Sequence, residues 1–157
     1  MTIRYPDRVA QESIGVRIGL LYDLQASWLE PRFARHGLSF TTFQLLAAVQ
    51  SAGKSASQVE IARRLGISAA TLSEAVFALV KKGWIQQSAS ATDRRVKVLS
   101  LTTPATKVLK AALKEVDQFE VLVQRALSEA DINRLAKLMD AVAKEVEQEF
   151  STGESSR

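Results

Sequence analysis

The sequence predicts a mainly α protein with one small β-hairpin, and three observations carry that prediction. Apolar residues recur at helical spacing over most of the 157 residues. Two short helical segments meet at the tight turn Leu65-Gly66-Ile67-Ser68. Directly after Gly83 the apolar period drops from about 3.6 to 2.

The first helix is expected from about Asp7 to Phe33, because Ile14, Ile18, Leu21 and Trp28 share one face, and His36-Gly37 ends it. Ser39–Gln50 follows, with Phe43, Leu46 and Ala47 on its apolar side, then a turn at Ser51-Ala52-Gly53-Lys54. A short helix opens with Ser57 and has Glu60 three residues later, the spacing of a reciprocal capping box; Ile61 and Leu65 give it an inner face. Gly66 suits a left-handed helix end and Ser68 suits an N-cap, so a new helix starts at about Ala69 and runs to Lys82. It turns Leu72, Ala75, Val76 and Leu79 inward, and Lys81 and Lys82 sit near the negative end of its dipole. Phe77 falls outside that inner stripe.

Trp84–Gln87 and Val96–Leu101 read as two strands around the polar tip Ser88–Arg95. Thr103 is expected to cap the next helix, with Pro104 in its first turn and a stripe of Val108/Leu109, Ala112/Leu113, Val116 and Val123. A last helix starts at Ser128, with Asp131 in capping-box spacing and Ile132, Leu135, Met139, Val142, Val146 and Phe150 as its stripe. Residues 151–157 are expected to form a flexible tail.

Charge is unevenly spread. Residues 1–52 hold five basic and four acidic side chains, residues 53–107 nine and three, and residues 108–157 seven and ten, giving +1, +6 and −3 of the overall +4. A basic middle between neutral and acidic flanks points to a polyanionic partner. No Cys is present, which removes disulfide, thiolate and iron–sulfur chemistry and suits a cytoplasmic address. No apolar run is long enough for a membrane span and MTIRYPDRVAQES lacks the apolar stretch of a secretory signal, so no membrane partner is expected.

Gly53-Lys54-Ser55 looks like the end of a phosphate loop, but the glycine such a loop needs five residues earlier is Ala48, and a helix precedes it where a strand is required. His36 is the single histidine, leaving no metal or cofactor site and no Ser–His–Asp triad; it is expected to cap the first helix. Nothing here supports an enzyme.

Two helices joined by a sharp turn and followed by a hairpin make a winged helix-turn-helix, a device that lays its second helix in the DNA major groove. Candidate contacts are Ser57 and Gln58 at the start of the bracing helix and Ser68, Ala69, Ala70, Thr71, Ser73 and Glu74 at the start of the reading helix. On the wing they are Arg94, Arg95 and Lys97, with Asp93 placed to aim one guanidinium. Small side chains allow close approach, and hydroxyls reach phosphates or base edges.

Over about residues 10–150 the chain resembles the multiple antibiotic resistance regulator (MarR) family of bacterial transcription regulators. The resemblance rests on LSFTTFQLLAAV, on SQVEIARRLGISAATLSEAVFALVKKGWI and, most specifically, on ATDRRVKVLSLT. It implies a cytoplasmic homodimer on double-stranded DNA, with residues 38–103 as the DNA-binding winged helix and residues 7–37 and 104–150 as interlocking dimerisation helices. It also implies repression from a palindromic operator, relieved by a small aromatic or phenolic effector held between the dimer and DNA-binding parts. Near that place lie Arg17, Trp28, Phe33, His36, Phe40 and Phe43, with Arg17 or Arg35 available for an effector carboxylate.

Independently of any resemblance, the long stripes flanking the basic middle exceed what a small winged helix needs to cover itself, so a dimer would bury them. Two-fold symmetry then predicts half-sites about 10 base pairs apart. The family commonly carries basic residues where this chain has Ala69 and Glu74, and often a polar one in place of Phe77. Those departures keep a rival open: a winged-helix protein-interaction module that has lost specific DNA binding.

Overall fold

The computed structural model describes residues 13–53, 56–90 and 95–154. Its elements are α1 (Ile14–Ala34), α2 (Phe40–Ala52), α3 (Gln58–Leu65), α4 (Ala69–Lys81), β1 (Ile85–Ala89), β2 (Lys97–Leu101), α5 (Thr103–Ala126) and α6 (Glu129–Glu154). The chain divides into two units, residues 1–116 and 117–157, with the boundary inside α5.

Hydroxyl side chains open all the described helices, because a side-chain oxygen satisfies one of the amides that a first turn leaves without a partner. Ser13, Ser39, Ser57 and Ser68 accept from the amides of Val16, Thr42, Glu60 and Thr71. Ser128 accepts from Asp131 N at 3.2 Å. For α5 the cap is Thr102 and not Thr103: Thr102 Oγ1 accepts from Ala105 N at 3.4 Å, and the Thr102 carbonyl accepts from Thr106 N at 2.9 Å. The capping box at Ser57 is only half made. Glu60 N donates to Ser57 Oγ at 3.2 Å, but the Glu60 carboxylate turns to Arg63 and Arg64 instead. Of the helix expected from Asp7, residues 7–12 lie outside the described residues. At the other end α6 continues to Glu154, into the expected tail.

In the first unit α1 to α5 and the hairpin close one core. Leu29 and Phe33 come from α1, Leu45, Leu46 and Val49 from α2, and Ile61 from α3. Leu72, Val76 and Leu79 come from α4, Ile85 and Leu99 from the two strands, and Leu109 and Ala112 from α5. The strands pair antiparallel, with Ile85 opposite Leu101, Gln87 opposite Leu99 and Ala89 opposite Lys97. An additional bridge joins Ser57 to Val98, and Leu99 N donates to the Ala56 carbonyl at 2.8 Å, which ties the wing to the entrance of α3.

The second unit holds the end of α5 and α6. On α6, Leu135, Leu138, Met139, Val142 and Val146 are all exposed at helical spacing. No described helix is long and apolar enough to cross a membrane.

Candidate nucleic-acid interface

The turn between α3 and α4 is made by Gly66, whose φ of 63° and ψ of 31° lie in the left-handed region that a side chain disfavours. Its amide closes α3 on the carbonyls of Ala62 and Arg63, and two residues later Ser68 caps α4. Ser68 Oγ accepts from Thr71 N at 3.0 Å and lies 2.8 Å from Thr71 Oγ1, so the two hydroxyls hold each other at the positive end of the helix. Ser68, Ala69, Ala70, Thr71, Ser73 and Glu74 are all exposed, and the structure brings them together on one surface at the start of α4. Leu72, Val76 and Leu79 anchor the opposite face, so this surface is presented by a fixed helix.

At the entrance of α3, Ser57 and Gln58 are half-buried, and the Ser57 hydroxyl serves as the cap. On the wing, Arg95 and Lys97 are exposed at the start of the returning strand. Asp93 and Arg94 lie outside the described residues.

Charge on α3 is organised by Glu60. Arg63 donates to both of its oxygens, at 3.1 and 3.2 Å, and Arg64 Nε donates at 2.8 Å. Those two guanidinium groups hold the Glu60 carboxyl at about 2, below its ordinary 4.5. Two cations share one carboxylate, so the cluster keeps a net positive charge beside α4.

Sequence reasoning missed the cleft of about 510 Å³ between α1, α2 and the helix-turn-helix, lined by Tyr22, Thr41, Gln44, Arg64, Ile67, Thr71, Ala75 and other residues. Its signal is faint in the sequence, because the small Ala75 and Ala78 on α4 leave the space and small residues carry no ligand chemistry. Gln44 Nε2 donates to the Tyr22 hydroxyl at 3.2 Å across its mouth. None of the six residues expected near an effector lines this cleft, and Phe40 packs edge-on against Tyr22, which does. Phe33 is fully buried and stacks on Phe43 at 4.5 Å and Phe40 at 6.1 Å between ring centroids. Trp28 carries the Arg32 guanidinium 3.4 Å from its ring centroid, and Arg17 is exposed on α1. His36 does not cap α1; Arg35 is the C-cap, while His36 Nε2 and Arg35 Nη2 lie 3.3 and 3.4 Å from the nearly buried Glu115 carboxylate on α5.

Residues 36–96 match the sequence model of the MarR family. Three solved structures share the fold. CouR from Rhodococcus jostii RHA1 bound to p-coumaroyl-CoA is 15% identical, covering 87% of this chain and 96% of that one at a TM-score of 0.76. A mutant of E. coli MarR complexed with operator DNA is 20% identical, covering 87% and 98% at 0.73. The S. aureus MepR–DNA complex is 17% identical, covering 87% and 98% at 0.76. The family match spans the helix-turn-helix and the hairpin up to the start of β2.

Proposed function

We propose that this MarR-type winged helix belongs to a homodimeric DNA-binding transcription regulator, without catalysis, that represses from a palindromic operator and responds to a small molecule. The single observation that carries it is the exposed, small-residue start of α4 standing beside the cations of α3 and the wing. A helix end that is free of bulk, positive at its terminus and flanked by Arg and Lys matches what a major groove and its phosphates require. Ser68, Ala69, Ala70, Thr71, Ser73 and Glu74 face the bases, Ser57 and Gln58 the backbone near α3, and Arg94, Arg95 and Lys97 the phosphates or the minor groove. MarR and MepR, which share the fold, are DNA complexes in the structures compared, and that supports the assignment.

The cleft on α2 offers the effector more open space than the Phe33–Phe40–Phe43 cluster, where Phe33 is fully buried and stacks on both other rings. Tyr22, Gln44 and Arg64 offer polar groups in an otherwise apolar lining, suited to an aromatic acid or ester such as the p-coumaroyl group bound by CouR. Because Thr71, Ala75, Ala78 and Leu79 of the cleft are α4 residues, a ligand there acts on the helix that meets DNA.

The test is fluorescence anisotropy with DNA from upstream of the gene, against scrambled DNA of equal length, at several salt concentrations. Preferential binding to the upstream DNA, with log affinity falling as log salt rises, is expected. Weak binding alike on both, together with failure of a random-sequence selection, would transfer the assignment to the protein-interaction module.

A further inference from the structure

We propose that α4 reads thymine methyl groups, with Phe77 as the specificity-determining residue, so that the preferred half-sites place A·T pairs beneath this helix. The proposal rests on α4 being the DNA-reading helix, as argued above. Base recognition in the major groove is chemically restrictive: guanine is read by Arg or Lys, adenine by Asn or Gln, cytosine by a carboxylate, and thymine by apolar contact with its methyl group. The exposed residues along α4 before its last turn include Ala69, Ala70, Thr71, Ser73, Glu74 and Phe77. None is Arg, Lys, Asn or Gln, so α4 before its last turn lacks the bidentate partners of both purines. What it offers is methyl groups, one aromatic ring and one carboxylate.

Phe77 is 61% exposed, while Leu72, Val76 and Leu79 of the same helix are buried, so its ring stands on the outer side by construction of the helix. Ala70, Ser73 and Phe77 follow one another at spacings of three and four, on one face. Seven residues at 1.5 Å each carry that face roughly 10 Å, or about three base-pair steps. Thus the alanine end and the phenylalanine end address different bases of one half-site. Water is an unfavourable neighbour for an exposed aromatic ring, and a thymine methyl relieves it.

Charge decides the occupant. Residues 53–107 carry +6, Lys81 Nζ lies 4.5 Å from the Phe77 ring centroid, and Arg95 and Lys97 are exposed on the wing. An apolar ring with cations around it suits a methyl-bearing groove between two rows of phosphates. Glu74 adds a second element, since its carboxylate accepts from a cytosine amino group and repels the phosphate-rich edge elsewhere.

The experiment selects preferred duplexes from a random pool with the full chain. It then replaces each selected thymine by deoxyuracil, which removes one methyl and leaves the base-pairing edge intact. Wild type, Phe77→Ala and Phe77→Leu are titrated on each duplex, with thermal melting confirming that the exposed substitutions leave the fold unchanged. The expected result is A·T-rich half-sites and about a fourfold loss for wild type at each contacted methyl. At one thymine Phe77→Ala loses that discrimination, Phe77→Leu keeps part of it, and the other thymines retain theirs. Salt-dependent, sequence-selective binding that ignores deoxyuracil, or whose selected sites carry no thymine beneath α4, overturns the thymine code while leaving the regulator assignment standing. Phe77→Ala with wild-type thymine discrimination overturns the role of the ring. Failure to select any site overturns both.

Discussion

In the helix-turn-helix, the inner stripe of α4 is closed off from water: Leu72 and Val76 are each 1% exposed, on a helix that packs against α3 and β1 of the same chain. On α6 a stripe of the same helical period stays open, with Leu138 56% and Met139 51% exposed. Both helices are amphipathic. Ile132, Leu135, Met139, Val142 and Val146 on α6 are spaced 3, 4, 3 and 4, the heptad pattern of a helix that meets another helix along its length. The lesson is that periodicity reports which side of a helix is apolar and is silent about whose atoms will cover it.

The largest expected contrast comes from one substitution made in both places. Leu72→Ala on α4, at a site 1% exposed, should cost about 2–5 kcal/mol in urea unfolding, independent of protein concentration. Leu138→Ala should leave the stability of the winged helix unchanged and weaken self-association by roughly 1.5–3 kcal/mol per buried side chain, read by sedimentation equilibrium. Should Leu138→Ala act without any concentration dependence, α6 is covered by its own chain and the contrast with α4 disappears.

Next in size is the wing. Arg94→Ala with Arg95→Ala should weaken DNA binding by about tenfold or more and lower the salt slope by about one per lost phosphate contact, whereas Thr71→Ala should cost less. Equal losses in an anisotropy titration would move the weight of binding from the wing to α4. Smaller again is Ser68→Ala, which removes the cap at the start of α4; about 1 kcal/mol of stability should go, measured by thermal or urea unfolding.

The smallest effect is electrostatic. Glu60 has a lower affinity for protons in the folded chain than in the unfolded one, so its contribution is complete above about 4.5 and is lost as pH falls toward about 2. A pH series of unfolding curves on wild type and Glu60→Gln should therefore converge toward the acid end. Curves that stay parallel would show that Arg63 and Arg64 hold Glu60 without stabilising α3.

Most of the fold was legible because its signals are local. Ser68 caps, Gly66 reverses and Val98 alternates with its neighbours for reasons that involve only a few residues on either side. The candidate DNA face was legible for the same reason, since the residues that start α4 are fixed by the cap before them. Thr102 was missed in favour of Thr103 because adjacent threonines offer identical chemistry, and only the bond from Ala105 N chooses between them. The His36 cap was misplaced, and the use of the Phe33–Phe40–Phe43 rings was not legible, for a different reason. Aromatic residues that are close in sequence near a helix junction suit a core and a pocket equally, and the choice depends on packing against other elements.

By itself, then, the sequence determined the order of helices and strands, the turn, the basic middle and the heptad spacing on α6, because each follows from backbone preference and side-chain period. Tertiary structure alone decided that Glu115 on α5 takes Arg35 and His36, and that the open cleft lies beside Tyr22 and Gln44. These are outcomes of contact between residues far apart in the chain, where the space left by one side chain is set by the size and position of others, and no local pattern encodes that space.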